Sequence, residues 1–242
     1  MGMTNEIELL GKKILYHTIN KATQWRVDTI FTKEPITIEW VKSIAPGEVV
    51  FDVGANVGMY SMMLASRGAT VYAFEPDFLN YACLNRNIRL NNFEDQILAY
   101  CVGVLDFDGF SVLNSERANP ATGDSMYTAH EELNFKLQPA NVKHKQAIPI
   151  ITLDKFCSSL SIQPDHIKID VDGLDYKIVE GNIKTIKNVK TAIIELNPKW
   201  PQHKAAIDLM KALGFQLDSY QVIAATRKNN HFDGLAEHLF FK

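Results

Sequence analysis

Residues 49–76, VVFDVGANVGMYSMMLASRGATVYAFEP, hold a strand, a glycine turn, a helix and a second strand that ends in an acidic residue. Val49, Val50, Phe51 and Val53 form the apolar run that a parallel strand covered on both faces needs. Gly54 to Gly58 then let the backbone turn sharply. A helix of mostly small residues, 59–67, follows at once, and 70–74 is the next apolar run. Glu75 at its tip faces the same crevice as the turn, at the carboxyl ends of neighbouring strands. Such an arrangement fits an adenosine-containing ligand, whereas a glycine turn alone is also found in ordinary strand–helix connections.

The turn itself selects the ligand. A dinucleotide fingerprint needs a second glycine where Asn56 stands and a third where Met59 stands. A pyrophosphate demands close backbone approach and bare amides at the helix start, and Asn56 fills that space with a polar side chain. The expected guest is S-adenosylmethionine. Its ribose hydroxyls can donate to Glu75, its methionine tail can meet backbone amides and Asp52, and its cationic sulfonium favours an acidic lining. Gly54, Ala55, Asn56, Gly58, Met59, Glu75, Pro76 and Asp77 are the cofactor-binding candidates of this stretch. Asp77 also stands where a carboxylate caps the next helix, and the two roles are compatible.

Four separated blocks resemble the FkbM-like methyltransferases of the class I S-adenosylmethionine-dependent enzymes: FDVGANVGMYS, VYAFEPDFLNYACLNRNIRLNN, ITLDKF, and IKIDVDGLDYKIVEGN with IIELNP. They run from about residue 49 to 198. The family typically carries a glutamate where Asp172 stands and an alanine near Leu174. The resemblance implies an α/β, Rossmann-like domain with a seven-stranded, mostly parallel sheet, an antiparallel C-terminal hairpin and helices on both faces. It also implies that the segment after the third strand, where Cys101 and Val102 fall, lies beside the adenine.

The 242 residues suffice for one large α/β domain. The predicted division is an N-terminal cover of helices over 1–48 and the methyltransferase domain over 49–242. A formal charge of −3 gives no sign of a nucleic-acid or anionic-membrane partner. Cys83, Cys101 and Cys157 have neither metal spacing nor a pairing framework, and no segment reaches about 18 apolar residues. A cytoplasmic protein with reduced thiols is expected, and its oligomeric state is open.

Along the chain, the spacing of Ile7, Leu10, Ile14 and Leu15 predicts a helix over 5–17, residues 24–37 read as irregular or hairpin-like, and 36–44 as a helix. Thr32 and Glu34 could contact the methionine end of the cofactor. Residues 77–91 are an amphipathic helix and 97–105 a strand. From 111 to 146 the pattern breaks down into polar and turn residues, which predicts a long lid or acceptor-binding insertion. Tyr127, His130 and His144 are its residues able to act as a base or bond a hydroxyl. A strand over 147–153 and a short helix lead to a central strand, 166–171, which ends in Asp170 and Asp172. On an extended strand both carboxylates point to one side, so they would repel unless protonated, paired with a cation or shared by a metal. Asp172 could instead cap the following helix. Residues 190–196 make a further strand, 202–213 a helix, and 215–223 and 237–241 the closing hairpin. His203, His231 and His238 are expected to be solvated.

The predicted reaction is methyl transfer to a hydroxyl of a small molecule, sugar or polyketide-like acceptor, with Asp170, Asp172 and His130 as catalytic candidates. A divalent metal held by Asp170, Asp172 and Glu195 is a possible addition that the spacing does not require. A non-catalytic adenosine-binding module and an NAD-dependent oxidoreductase are the alternatives.

Overall fold

A computed structural model describes residues 2–228 and 232–242. Where a helix is expected over 5–17, the chain forms an antiparallel hairpin, β1 (Met3–Leu9) and β2 (Lys12–Thr18). Leu10 and Gly11 both have positive φ, the signature of a two-residue hairpin turn. Ile7 and Leu9 alternate inward on one strand, Ile14 and Tyr16 on the other, and Leu10 projects into solvent. The next segment is not irregular either: α1 (Lys21–Lys33) starts at a capping box in which Asn20 accepts from the Thr23 amide at 2.9 Å and Thr23 answers back. It buries Thr23, Val27 and Ile30, one side of a helix. α2 (Pro35–Ser43) follows with proline in its first turn. The N-terminal cover is thus a hairpin with two helices.

The predicted strand–turn–helix–strand is present as β3 (Val49–Val53), α3 (Met59–Ser66) and β4 (Thr70–Phe74), and α4 (Phe78–Leu90) is capped by Asp77. The expected strand over 97–105 divides. β5 (Ile97–Tyr100) stays in the main sheet, and the chain then leaves it, so that β6 (Gly103–Val104) joins a second sheet with β7 (Gly109–Ser115), β8 (Tyr127–Ala129) and β9 (His144–Ile151). The order of this sheet is β6-β9-β7-β8, and the region read as a loop contributes β8, most of β7 and the start of β9 to it, with long connections between them.

The chain returns through α5 (Leu153–Leu160) to β10 (His166–Ile169), α6 (Asp175–Gly181), α7 (Ile183–Ile186), β11 (Thr191–Leu196) and α8 (Pro201–Ala212). It ends with β12 (Gln216–Leu217), α9 (Ser219–Ala225) and β13 (Ala236–Phe241). The last hairpin is therefore interrupted by a helix, started by Asp218, whose carboxylate accepts from the Gln221 amide at 3.0 Å.

The main sheet has seven strands in the order β12-β13-β11-β10-β3-β4-β5, with β13 antiparallel to its two neighbours and the other pairs parallel, as the sequence predicts. Alternate residues of each strand feed two cores. Val50, Val71 and Ile97 meet Met62, Leu84, Trp40 and the hairpin residue Tyr16 on one face. Phe51, Phe74 and Ile169 meet Phe156, Ile178 and Met210 on the other. His203 and His238 are not solvated. Both are buried, the first accepting from the Asn197 amide and donating to the Gly173 carbonyl at 2.8 Å, the second donating to the Ala236 carbonyl. His231 lies outside the described residues. Cys83 and Cys157 are buried and Cys101 is exposed.

Candidate active site

From β3 the chain winds outward through β4 and β5, then crosses back to β10 on the other side of β3, so a crevice opens between β3 and β10 where strand order reverses. The tips of β3, β4, β10 and β11 carry Gly54, Glu75, Asp170 and Glu195 to a cavity of about 430 Å³, within the range of small-ligand sites.

At the glycine turn, the Gly54 and Ala55 amides both donate to the Phe74 carbonyl at 3.0 Å, and the Asp170 amide donates to the Val53 carbonyl at 3.0 Å. Gly54 has φ +83°, and a Cβ there would lie 1.9 Å from the Asp170 carbonyl oxygen. Only glycine fits so close a passage. Glu75 is nearly buried, and its two oxygens accept from the Asn56 amide at 2.7 Å and the Asp77 amide at 2.9 Å. One carboxylate thus fixes both the turn and the start of α4 while lining the cavity, with lone pairs left for a ligand. Burial pushes its pKa up to about 8 despite those two amides.

Of the cofactor-binding candidates, Gly54, Ala55, Asn56, Met59, Pro76 and Val102 line the cavity with Glu75. Four candidates do not. Asp52 is buried behind the turn, where its Oδ2 accepts from the Ser61 hydroxyl at 2.5 Å. Gly58 packs against Leu84, Asp77 serves as the cap of α4 with the Asn80 amide at 2.8 Å, and Cys101 turns its thiol toward the Pro76 carbonyl.

Asp170 and Asp172 do not face one another, because Asp172 has φ +57° and the extended backbone ends before it. Asp170 pairs with the buried Lys168 ammonium at 3.0 Å. Burial alone would raise its carboxyl, but Lys168 and Lys33 hold it well below the usual range. Asp172 accepts instead from the Met126 amide at 2.7 Å, and burial together with Asp170 pushes it up to about 6. Nor does Asp172 cap α6: Asp175 accepts from the Val171 and Gly173 amides, each at 3.0 Å. Among the described residues no three His, Cys, Asp or Glu side chains converge on a common metal position.

His130 lies outside the cavity on an exposed bend, its ring against Phe107 and the Ser111 hydroxyl. His144 and Thr32 do not line it either, whereas Tyr127 and Glu34 do. The far end of the cavity holds an ion cluster that sequence spacing could not reveal, since its members come from α1, the residue joining it to α2, β10, β11 and the C-terminal segment. Lys33 pairs with Glu34 at 2.5 Å, and Arg227 bridges Glu195 at 2.7 Å and Glu237 at 2.6 Å. Burial and Asp170 push Glu195 up to about 7 in spite of Arg227. Trp25, Tyr60 and Phe232 add aromatic surface to this end.

The segment 121–127, which leads into β8, crosses the glycine-turn end of the cavity. Asn56 Nδ2 and Asn80 Nδ2 donate to the Asp124 carbonyl at 2.8 and 3.2 Å, and the Gly123 amide donates to Asn80 Oδ1 at 2.7 Å. From α1, Arg26 Nε donates to the Gly123 carbonyl at 2.8 Å. The Asn56 side chain is therefore engaged where a pyrophosphate would need open amides.

Three comparisons bear on this geometry. A curated methyltransferase, sdnD of Sordaria araneosa, is 23% identical over 269 residues, spanning 95% of this chain and all of that protein. The 31-O-demethyl-FK506 methyltransferase FkbM of Streptomyces tacrolimicus is 50% identical over 46 residues, 18% of each chain. An rRNA methylase structure from Streptococcus thermophilus superposes with a TM-score of 0.51 at 12% identity, covering 87% of this chain and 98% of that one, a likeness of fold. The Methyltransferase FkbM domain itself matches residues 52–217, the span that holds the glycine turn, Glu75, Asp170 and Glu195. With that match across more than half of its length, the chain belongs to the FkbM family of S-adenosylmethionine-dependent methyltransferases.

Proposed function

We propose that the enzyme methylates a hydroxyl oxygen of a small molecule or glycan. The observation that carries the reading is the continuity of one cavity from Glu75, at the cofactor turn, to the Glu195–Arg227 pair at the far end. S-adenosylmethionine supplies an electrophilic methyl on a cationic sulfur. Glu75 accepts from the ribose hydroxyls, and Asp170, kept ionised by Lys168, holds the ammonium of the methionine tail. A carboxyl held so low is a poor proton acceptor. Glu195, poised near neutral pH, is the better one. An acceptor oxygen aligned beside it gains a bond to the methyl carbon as the sulfur–carbon bond breaks, and its proton passes to the Glu195 carboxylate.

The name of the Streptomyces relative, which specifies a demethylated oxygen, supports an oxygen acceptor. The charge at the far end speaks against nucleic acid. Glu34, Asp170, Glu195 and Glu237 set four carboxylates against the three cations Lys33, Lys168 and Arg227, and phosphate backbones call for the opposite sign. Unpaired thiols, together with the lack among the described residues of any helix long and apolar enough to cross a membrane, support a cytoplasmic setting.

The test is transfer from S-adenosylmethionine carrying a ¹³C methyl to a panel of sugars and hydroxylated lactones. The label should appear on oxygen, and a product labelled on nitrogen or carbon would overturn the reading. With a true acceptor, Glu195→Gln should lower kcat about 10²-fold, remove the pH–rate limb near neutrality and leave S-adenosylhomocysteine affinity within a few-fold.

A further inference from the structure

The hydroxyl of Tyr127 is a loose end in a closely bonded region. Tyr127 is 8% exposed and lines the cavity, yet its hydroxyl has no hydrogen-bond partner among the described residues. Buried hydroxyls are ordinarily satisfied, so one that is not marks a place where a ligand completes the bonding. The ring stands on the cofactor side of the cavity. Burial and then the carboxylates of Asp77, Asp124 and Glu75 push its pKa up, which keeps the oxygen protonated, and Glu75 lines the same cavity.

The backbone around Tyr127 is held from four directions. Its own amide and that of Met126 face the Asp172 carboxylate, Asn56 and Asn80 hold the Asp124 carbonyl, Arg26 holds Gly123, and Asn20 Nδ2 donates to the Thr122 carbonyl at 2.7 Å. Arg117 pairs with the Asp124 carboxylate at 3.1 Å. A segment so anchored to the glycine turn and to α4 belongs to the cofactor end of the cavity. It presents the Tyr127 hydroxyl there, on the wall of the cavity.

We infer that the Tyr127 hydroxyl donates a hydrogen bond to the adenosine half of S-adenosylmethionine, making the 121–127 segment a cofactor strap that contributes to cofactor specificity. The inference rests on the placement of the adenosine beside Glu75 proposed above. It gives the insertion between β7 and β9 a role different from the lid or acceptor site that its composition suggests.

Titration calorimetry with S-adenosylhomocysteine and with 5′-methylthioadenosine, which lacks the amino-acid tail, separates the possibilities. Tyr127→Phe should weaken both ligands alike, by about tenfold. The ligand-free Tm should stay level or rise, because the deleted hydroxyl has no protein partner, while the rise in Tm on adding ligand shrinks. Binding of both ligands within about twofold of the parent would overturn the inference. So would a loss seen only with S-adenosylhomocysteine, which would move the contact to the tail, or a fall in ligand-free Tm large enough to explain the weaker binding. Glu75→Gln serves as the reference: if it weakens binding and Tyr127→Phe does not, the strap contact alone falls. If neither substitution changes binding, the adenosine placement falls with it.

Discussion

Gly54→Ala puts the narrowest passage of the site to the test. Two costs combine there. The first is backbone strain, because Gly54 sits at φ +83°, where a Cβ costs about 1–2 kcal/mol. The second is contact. The new Cβ would lie 1.9 Å from the Asp170 carbonyl oxygen, whereas ordinary contact begins at 3.4 Å, so that oxygen must retreat by 3.4 − 1.9 = 1.5 Å. The atom in the way is backbone, and no rotamer relieves it. A shift of that size strains the Asp170 amide bond to Val53 and the Val171 amide bond to Asp175, each 3.0 Å long. Losing one buried bond and leaving its donor unpaired costs about 2–3 kcal/mol. The sum is about 4 kcal/mol, on the order of 12 °C in Tm for a chain of this size.

Gly47→Ala isolates the first cost. Gly47 has φ +84°, and its added Cβ would meet nothing within 4 Å. That substitution should cost only the strain, about 1.5 kcal/mol or roughly 4 °C. Thermal and urea unfolding of the two variants beside the parent give the comparison. Equal losses for Gly54→Ala and Gly47→Ala would refute the close approach of β3 and β10. The variant at 54 should also bind S-adenosylhomocysteine poorly where it is still folded, since the shift moves Asp170 and the turn together.

Two further outcomes follow from the buried charges. Asp170→Asn strands the Lys168 ammonium, which is 4% exposed, and should cost about 3 kcal/mol in urea unfolding; adding Lys168→Met should recover more than half of it, and no recovery would mean that the ion pair is not the source of the loss. Glu75, Glu195 and Glu237 titrate in the folded chain near 8, 7 and 8 against 4.5 for an ordinary glutamate, so between these limits the folded state binds more protons than the unfolded one. Ligand-free stability should therefore fall as pH rises from about 6.5 to about 8.5, and a Tm that holds or climbs over that range would contradict the burial of these carboxyls.

The strand–turn–helix–strand that lines one half of the cavity was legible because its signals are local. Strands covered on both faces read as continuous apolar runs, and the acid at the tip of β4 follows the turn at a fixed distance. The hairpin at the N-terminus was misread because Ile7, Leu10, Ile14 and Leu15 match a helical stripe by accident. The true signal was the alternation of Ile7 with Leu9 and of Ile14 with Tyr16 across Leu10-Gly11. α1 announced itself through Asn20 and Thr23, a capping box written with threonine in place of glutamate. The second sheet was obscured because two of its strands are only two and three residues long, and the buried residues of its longer strands sit at one end, Leu113, Asn114 and Ser115 of β7 and Ile148 and Ile150 of β9. The pairing of Asp170 with Lys168 needed the end of the strand, and the Glu195–Arg227 bridge needed two segments 32 residues apart to meet. Spacing along one element carries no trace of either.

The ion cluster at the far end has a sign that suits the proposed chemistry. Above the pH at which Glu195 and Glu237 titrate, near 7 and 8, its four carboxylates exceed its three cations by one charge. An unmatched charge about 5 Å from an opposite one is worth about 3 kcal/mol at an effective dielectric near 20. In the proposed reaction that excess would face the positive sulfonium and so favour the reactive cofactor over the neutral thioether. After transfer, the same excess is met by the proton taken from the acceptor, which Glu195 is placed to receive because burial and Asp170 already raise its affinity for one. The charge of the cluster and its contents is thus the same before and after the methyl moves. A cluster balanced four against four would hold the thioether product as well as the sulfonium and would oppose the proton as an extra charge. Lys33 and Glu34 belong to this balance although they come from the N-terminal cover, so the end of α1 and its junction with α2 take part in setting the field at this end of the cavity.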